Sequence, residues 1–357
     1  TADLKVKISS FTYDGDTPAN KRSGIKNTAN IVITNPDMLN RAILPHHTGW
    51  ASFFRDLKYI VVDELHTYRG VLGSHLANIF VRLLRICRHY GSDPVFICCS
   101  ATIANPAQHA EALTGRSAFL IDQSGAPAAQ KELVIYDPCM IDRRSGTRRS
   151  SLYESGRLTY KAICCGISSI LFTRSRVNVE LLVKSLMKEL SDKGKDTRAV
   201  SGYRSGYLPA ERRQTERDLK SGKLKAVVST NALELGIDIG SLDLVIIHGF
   251  PGSMASLWQQ IGRAGRRKST SAAIIIPSVL PVDRFLAERP EWLIGAPSEK
   301  AVIDPSNPYI RLEHIKCSVF ELPLRSEETF GGEDITDILE FLSREGLTEA
   351  FGEREER

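Results

Sequence analysis

Residues 59–66 read YIVVDELH. The first four residues are β-branched or aromatic, as strands favour, and two carboxylates, Asp63 and Glu64, follow them directly. A strand that is apolar at every position is typical of a parallel sheet covered on both faces. Open parallel sheets bind their ligands at the carboxyl ends of the strands. The stretch therefore predicts an α/β fold with an acidic site at that edge of the sheet.

Apolar runs of the same kind recur along the chain and alternate with helical patterns. They lie at residues 30–34, 95–99, 169–173, 226–229, 244–248 and 273–276. Apolar residues at the i, i+3, i+4, i+7 spacing of a helix occur over residues 76–87 and 179–190. This alternation predicts two α/β domains with parallel sheets.

The alternation breaks where polar, turn-forming residues accumulate. The arginine-rich stretch 142–151 (DRRSGTRRSS) has no apolar periodicity, and a solvated loop is a better explanation for it than a phosphate contact. A helical pattern that ends at Gly346 follows late in the chain. We expect a first domain, a linker, a second domain and the start of a small third domain, for which a winged-helix-like fold is one candidate. Their predicted bounds are residues 1–122, 123–157, 158–290 and 291–357.

Composition limits the function only loosely. The 357 residues are 42% hydrophobic and 25% charged, which is normal for a globular protein with two cores. A net charge of +5 permits a polyanionic partner without identifying one. The seven cysteines form no C-x-x-C motif, so neither a zinc cluster nor a disulfide framework is indicated. The absence of a signal pattern and of a long apolar run predicts a cytoplasmic protein with no membrane segment.

The acidic pair suits phosphoanhydride hydrolysis. Asp63 is a candidate magnesium ligand, and Glu64 is a candidate base for the attacking water. Taken alone, a solvated helix start explains two carboxylates equally well. Ser100 and Thr102 follow the run at residues 95–99, where their hydroxyls could bond the acidic motif.

Further candidates follow the other apolar runs. Thr34 and Asn35 could contact a nucleic-acid phosphate, although turn chemistry is the simpler explanation. Thr230 leads into a segment whose Gly236 and Asp238 could approach a nucleotide. Two arginines three residues apart can share one helix face and stabilise a phosphoryl group. They belong to a Q-x-x-G-R-x-G-R segment, with Gln259, Gly262, Arg263, Gly265 and Arg266.

The order of these segments resembles the superfamily 2 helicases of the DEAD/DEAH type. The segments are TNPDML, DELH, SAT, LFTRSR, STNALELGID and QQIGRAGRR, and the resemblance covers roughly residues 11–280. Longer strings resemble the MrfA (YprA-type) bacterial DNA repair helicases, which are related to the fungal RecQ-like helicases. These strings lie at residues 59–75, 201–213, 229–243 and 303–310.

The resemblance implies a fold, a reaction and a partner. It implies two RecA-like domains with ATP and Mg²⁺ bound between them, and 3′→5′ translocation on single-stranded or tailed duplex DNA, RNA being less expected. It assigns the metal and the general base to Asp63 and Glu64. It assigns coupling or ATP contacts to His66, Ser100, Thr102, Gly236 and Asp238. It places Gln259, Gly262, Arg263 and Arg266 on the γ-phosphate side. It assigns nucleic-acid contacts to Thr34, Asn35, Arg174 and Thr230.

Two features of that family are missing from this sequence. No Gly-rich phosphate loop ending in Gly-Lys-Ser or Gly-Lys-Thr occurs, and no carboxyl-terminal cysteine cluster occurs. We therefore expect an internal fragment of a longer protein, with a first domain that is incomplete at its amino terminus. An RNA-remodelling DEAD-box enzyme and a nucleic-acid-binding module that does not hydrolyse ATP remain the alternatives.

Overall fold

The computed structural model divides the chain into two compact units. It describes residues 8–101, 103–123, 125, 130–234, 242–265, 270–325 and 327–349. The first unit comprises Thr1–Ala101, Asn105–Ile121 and Lys300–Arg357, and the second comprises Thr102–Ala104 and Asp122–Glu299. Parallel strands and helices build both units, as the alternating sequence pattern predicts.

Two pairs of parallel strands form the sheet structure of the first unit. Strand β1 (Ser10–Thr12) pairs with β2 (Ile31–Ile33), and β3 (Tyr59–Val62) pairs with β4 (Val95–Cys98). The helices that accompany these strands are α1 (Ala19–Thr28), α2 (Pro36–Met38), α3 (Ala51–Arg55), α4 (Gly70–His89) and α5 (Pro106–Thr114). A π-helical turn (Leu39–Ile43) and a 3-10 segment (Leu44–Trp50) join α2 to α3.

Helix α4 is the core helix of the first unit. Its apolar side packs with Trp50, Phe54, Leu65 and Leu113 in one buried cluster. Among the described residues it is the one helix long and apolar enough to span a membrane. Because most of its apolar stretch is buried inside the unit, that property is explained by its place in the core.

The strands of the first unit are covered on one face only. Val62 of β3 is buried, whereas Tyr59 and Val61 of the same strand are 61% and 63% exposed. Ile31 and Ile33 of β2, and Val95 and Ile97 of β4, are exposed as well. The expectation that all apolar strands are covered on both faces is therefore wrong for this unit as described, because no described residue covers the second face.

The second unit is built on one six-stranded parallel sheet. Its strand order is β5-β12-β11-β8-β10-β9. The strands are β5 (Lys131–Ile135), β8 (Ser169–Thr173), β9 (Val200–Tyr203), β10 (Ala226–Ser229), β11 (Leu244–His248) and β12 (Ser271–Ile276), and β6 (Met140–Asp142) and β7 (Thr147–Arg148) form a separate hairpin. The helices are α6 (Ser151–Cys164), α7 (Arg176–Asp192), α8 (Pro209–Lys220), α9 (Met254–Gly262), α10 (Pro281–Glu288) and α11 (Pro290–Gly295). One buried cluster includes Ile170, Phe172 and Val245, and another includes Leu171, Val228 and Ile246, so this sheet is covered on both faces.

The structure corrects the predicted linker over residues 123–157. Strand β5 pairs with β12 at the edge of the sheet, and the β6–β7 hairpin and the first half of α6 also lie in that range. An edge strand with one exposed face carries polar residues, which is why KELVI lacks the continuous apolar pattern of a central strand. Arg148 is ion-paired with Asp137, and Arg149 with Glu154.

The segment predicted to open a third domain packs with the first unit. Its described residues from 300 onward form α12 (Pro308–Glu321) and α13 (Thr336–Arg344), with one isolated bridge between Phe330 and Glu333. The helical pattern predicted to end at Gly346 is confirmed as α13, which ends at Arg344. A boundary at residue 291 is wrong in this structure, because α12 packs on α4 through buried polar groups. The winged-helix expectation stays a prediction.

Candidate active site

Two neighbouring strand ends bring the acidic motif of the first unit to the segment that carries Ser100. The N–H of Cys99 donates to the carbonyl of Val62 at 2.8 Å, and the N–H of Leu65 donates to the carbonyl of Cys99 at 2.8 Å. The backbone ladder thus continues past β3 and β4 into both motifs. Asp63, Glu64 and Ser100 therefore follow neighbouring strand ends at one edge of the sheet.

Glu64 has an unusual backbone conformation. Its φ of 50° and ψ of 44° place it in the left-handed region, and no other non-glycine residue among those described has a positive φ. The Asp63 Oδ1 atom accepts the N–H of Glu64 at 2.9 Å, and the Glu64 carbonyl accepts both the N–H and the hydroxyl of Thr67 at 2.8 Å. These bonds hold a sparsely populated conformation, a kind of strain that concentrates at functional sites.

His66 links the acidic motif to the segment after β4. Its Nδ1 accepts the N–H of Ala101 at 3.1 Å, so the ring proton lies on Nε2. Burial lowers the pKa of His66, while the Glu64 carboxylate raises it. The Glu64 carboxylate lies 3.6 Å from the same Nδ1. Because the Nδ1 lone pair already accepts from Ala101, this approach is not a hydrogen bond, and a neutral His66 fits the geometry.

Three further residues surround this motif. The Ser100 hydroxyl donates to the carbonyl of Ala101 at 2.8 Å and not to the acidic motif, so the predicted bond to that motif is wrong for Ser100. Burial raises the pKa of Tyr68, and so do Asp63 and Glu64. His109 Nε2 lies 3.3 Å from the carbonyl of Leu65. The sequence analysis missed Tyr68 and His109, because neither belongs to a strand end.

The exposed carboxylates fit a magnesium ion shared with a phosphate. The Oδ2 atom of Asp63 has no bonding partner among the described residues, and the Glu64 side chain is 35% exposed. The described residues contain no group of three or more His, Cys, Asp or Glu side chains that could hold a metal. Mg²⁺ is commonly held by one or two carboxylates together with water and phosphate oxygens, so Asp63 is sufficient as its protein ligand.

In the second unit, α9 and a buried glutamate organise the predicted arginine. Arg263 follows α9 directly, and its Nε and Nη2 atoms donate to the carbonyl of Glu234 at 3.1 and 2.5 Å. The Glu234 carboxylate accepts from Ser256 Oγ at 2.6 Å and from Gln260 Nε2 at 3.0 Å. Gln260 is 3% exposed, and its Oε1 has no partner among the described residues. The sequence motif named the half-buried Gln259 and the exposed Gly262, but not Gln260 or Glu234.

A cavity of about 230 Å³ lies at the carboxyl edge of the second unit's sheet. It is lined by Thr173, Arg174, Asn231, His248, Gly249, Ser256 and Gln260, among others. His248 Nε2 lies 3.0 Å from the hydroxyl of Ser151. Burial lowers the pKa of His248, Asp283 raises it and Arg174 lowers it further. Arg174 is exposed at the edge of this cavity, and its contact with nucleic acid stays a prediction.

Three predicted nucleic-acid residues have local structural partners. The Thr34 hydroxyl donates to the carbonyl of Tyr13 at 2.7 Å. The Asn35 side chain caps α2 by accepting the N–H of Met38 at 2.9 Å. The Thr230 hydroxyl accepts the N–H of Ala232 at 3.5 Å. Turn and cap chemistry accounts for these contacts, and a nucleic-acid role for the three residues stays a prediction.

Four predicted site residues lie outside the described residues. They are Thr102, Gly236, Asp238 and Arg266. Their roles stay predictions of the sequence analysis.

Two family models match the chain in the order of its two units. The DEAD/DEAH box helicase model matches residues 1–110, and the helicase conserved C-terminal domain model matches residues 163–268. The chain belongs to the DEAD/DEAH box helicases. The acidic motif of these helicases is therefore the DELH of residues 63–66, and the two units are their RecA-like domains.

Two curated helicases are similar over nearly the whole chain. The ATP-dependent helicase YprA of Bacillus subtilis is 50% identical over 352 residues, which is 99% of this chain and 47% of YprA. The ATP-dependent helicase hrq1 of Schizosaccharomyces pombe is 40% identical over 337 residues, which is 92% of this chain and 32% of hrq1. The chain thus spans half or less of the length of these helicase relatives.

A solved helicase structure has the same fold as this chain. The DUF1998 helicase MrfA bound to DNA superposes with a TM-score of 0.93 and is 50% identical, covering 98% of this chain and 47% of MrfA. A second MrfA structure, with DNA and AMPPNP, superposes equally well.

Proposed function

We propose that the complete protein is an ATP-dependent DNA helicase that translocates 3′→5′ and acts in DNA repair. The observation that carries this proposal is that hydrogen bonds join the DELH motif after β3 to the Ser100–Ala101 segment after β4. There the Asp63–Glu64 carboxylates lie beside His66, whose ring accepts the N–H of Ala101. Support for DNA as the partner comes from MrfA, which is 50% identical and was solved with DNA and with AMPPNP.

In this proposal, the Asp63 and Glu64 carboxylates carry out two steps of ATP hydrolysis, which are metal binding and activation of the water. Bound ATP with Mg²⁺ would supply the phosphoanhydride whose hydrolysis drives movement. Asp63 would hold the metal through Oδ2, the carboxylate oxygen that does not accept the Glu64 N–H, and Glu64, which is partly exposed, would accept a proton from the attacking water. A movement of His66 during hydrolysis would shift the Ser100–Ala101 backbone through the hydrogen bond between Ala101 and the His66 ring.

The second unit supplies cationic groups. Arg263 is oriented by the Glu234 carbonyl, and an arginine at this position would stabilise charge on the transferring phosphoryl group. Arg174 at the cavity edge would contact the DNA backbone, a contact that positions DNA without reading its sequence. Because this chain contains no phosphate loop, we assign the groups that hold the β- and γ-phosphates to another segment of the complete protein.

The finer features rest on the family resemblance. They are the 3′→5′ polarity, the repair role, the cytoplasmic location and the preference for single-stranded or tailed duplex DNA over RNA. A parallel titration of ATP turnover with single-stranded DNA and with RNA tests the last of these. Equal or greater stimulation by RNA would favour an RNA-remodelling enzyme.

Glu64→Gln in the complete protein tests the central assignment. The amide keeps the size of the side chain but cannot accept the proton of the attacking water. We expect ATP binding to be kept and DNA-stimulated turnover to fall at least about 100-fold. Glu111→Gln, an exposed substitution on α5, is the matched control. Unchanged turnover in Glu64→Gln would contradict the assignment, and loss of ATP binding in the unaltered protein would favour a non-hydrolysing module.

A further inference from the structure

Residues 299–305, here called the strap, are bonded at one end to the segment that follows Ser100. The N–H of Ala301 donates to Asn105 Oδ1 at 2.9 Å, and Asn105 Nδ2 donates back to the carbonyl of Ala301 at 2.9 Å. Just before this pair, the N–H of Ala104 donates to the carbonyl of Glu299 at 3.3 Å. The chain that leaves the Ser100–Ala101 turn is therefore paired with the strap.

The strap also bonds the start of α4, directly after the DELH motif. The N–H of Gly70 donates to the carbonyl of Val302 at 2.8 Å, and the N–H of Asp304 donates to Ser74 Oγ at 2.9 Å. Asn78 Nδ2 donates to the carbonyl of Pro305 at 3.0 Å. Backbone and side-chain bonds thus fix residues 301–305 against the first unit, close in sequence to both of its motifs.

The first residue of the strap, Glu299, also bonds the helix that leads to Arg263. Within the second unit, the Glu299 carboxylate accepts the N–H of Met254 at 2.6 Å and the N–H of Ala255 at 3.2 Å. Ser253 Oγ accepts the N–H of Ser256 at 3.1 Å. The first three amides of α9 are therefore all satisfied, two of them by one residue of the strap. A carboxylate is also the group that the positive end of a helix dipole favours.

We propose that Glu299 is a positioning residue that couples the Gln259–Arg263 segment to the Ser100 and DELH motifs through the strap. Only Lys300 separates the Glu299 contacts to α9 from the Ala301 contacts to Asn105. A shift of α9 is therefore transmitted to Asn105 over a distance that one residue can span, at most about 7 Å between Cα atoms. This inference rests on the proposed ATPase function for its kinetic test, but not for its structural test.

The kinetic test uses the complete protein with two single variants and their combination. Glu299→Ala removes the side-chain anchor on α9, and Asn105→Ala removes the side-chain anchor on the segment that follows Ser100. We expect each variant to lower the DNA-stimulated kcat for ATP roughly fivefold or more while KM for ATP changes less than about twofold. Because the two anchors act in series, the double variant should be no worse than the poorer single variant. Glu299→Gln keeps one acceptor oxygen and should restore part of the loss.

The structural test uses amide hydrogen exchange on the same proteins and needs no ATP turnover. Glu299→Ala should speed exchange at Met254 and Ala255 and also in residues 100–106. Asn105→Ala should speed exchange in residues 100–106 and also at Met254 and Ala255. Glu291→Ala, an exposed glutamate on α11, is the matched control and should change neither region. Faster exchange confined to the mutated end, or kinetic losses that add in the double variant, would overturn the coupling. If the unaltered protein lacks turnover, the proposed function fails while the exchange result still decides on the strap.

Discussion

His66 Nδ1 accepts the backbone N–H of Ala101 at 3.1 Å, which joins the acidic motif after β3 to the segment after β4 by a side chain. The backbone bond from Leu65 to Cys99 lies next to it and closes the ladder. His66 is only 8% exposed, so the hydrogen bond is formed where water competes little. This contact gives the two motifs a route by which a change at one reaches the other.

Replacing His66 by alanine should separate DNA stimulation from basal turnover. The substitution leaves the Ala101 N–H without its acceptor but leaves Asp63 and Glu64 in place. In the complete protein we expect the ratio of DNA-stimulated to basal ATP hydrolysis to fall several-fold, with a smaller change in basal hydrolysis. His46→Ala, at an exposed position in the same unit, is the control. Equal losses in both rates would show that His66 only supports the fold.

Gly73 should not tolerate a side chain. A methyl group at Gly73 would overlap the carbonyl oxygen of Tyr68, with the carbonyl carbon at 2.7 Å, and would also meet the Ile303 side chain. Since a backbone carbonyl cannot move aside without disturbing the DELH loop, Gly73→Ala should destabilise the protein by about 1–3 kcal/mol. Thermal unfolding measures this. Gly24→Ala, in α1 with open space around it, should be neutral or stabilising, and an equal loss there would contradict the steric argument.

In the sheet of the second unit, the sequence predicted the four central strands and missed the two edge strands, β5 and β9. Central strands such as β8 and β11 are buried on both faces, so their continuous apolar runs identify them. The edge strand β5 alternates in exposure, and β9 contains Gly202, so neither shows that run. A strand that is buried on both faces has apolar residues at every position, and this makes it recognisable in a sequence. Edge strands are not buried on both faces and therefore lack this pattern.

The candidate site was predictable where one motif supplies both the residues and their place on a sheet edge. Asp63, Glu64 and His66 are of this kind, because strand β3 fixes their position. Glu234 and Gln260 were not predictable, because they meet only when α9 packs over the turn after β10. The strap was equally hidden, since Ala301 and Asn105 are 196 residues apart in the sequence.

Breaking one partner of the ion pair between Arg82 and Glu321 should be costly. Their side chains are 0% and 1% exposed, and Arg82 also reaches Asn40 and His314. Arg82→Met leaves the Glu321 carboxylate buried without its cation, which should cost about 3–5 kcal/mol of stability. The double variant Arg82→Met with Glu321→Leu should recover much of that loss, and thermal unfolding of both proteins measures the difference.

The exposed pair of Glu313 and Lys316 provides the control for this prediction. Its side chains are 64% and 36% exposed, and Lys316 Nζ lies 3.1 Å from Glu313 Oε1. Solvent screens such a pair, so Glu313→Ala should leave the stability nearly unchanged. A loss at Glu313 as large as the loss at Arg82 would contradict the role given to burial.

Stability should fall in mild acid because His314 is buried in its neutral form. Burial, Arg82 and His75 lower the pKa of His314 to about 3, from 6.5 in an exposed histidine. The unfolded chain therefore binds the proton first as pH falls below about 6.5, and the stabilisation present at neutral pH is lost progressively down to pH 3. Between pH 7.5 and pH 5 this single group should cost about 2 kcal/mol of stability.

Thermal unfolding at the two pH values should show a smaller loss of stability in acid for His314→Asn than for the unaltered protein. His46→Asn, the control, should match the unaltered protein. An undiminished loss in His314→Asn would assign the acid sensitivity to His66, His109 and His248, whose pKa values burial also lowers.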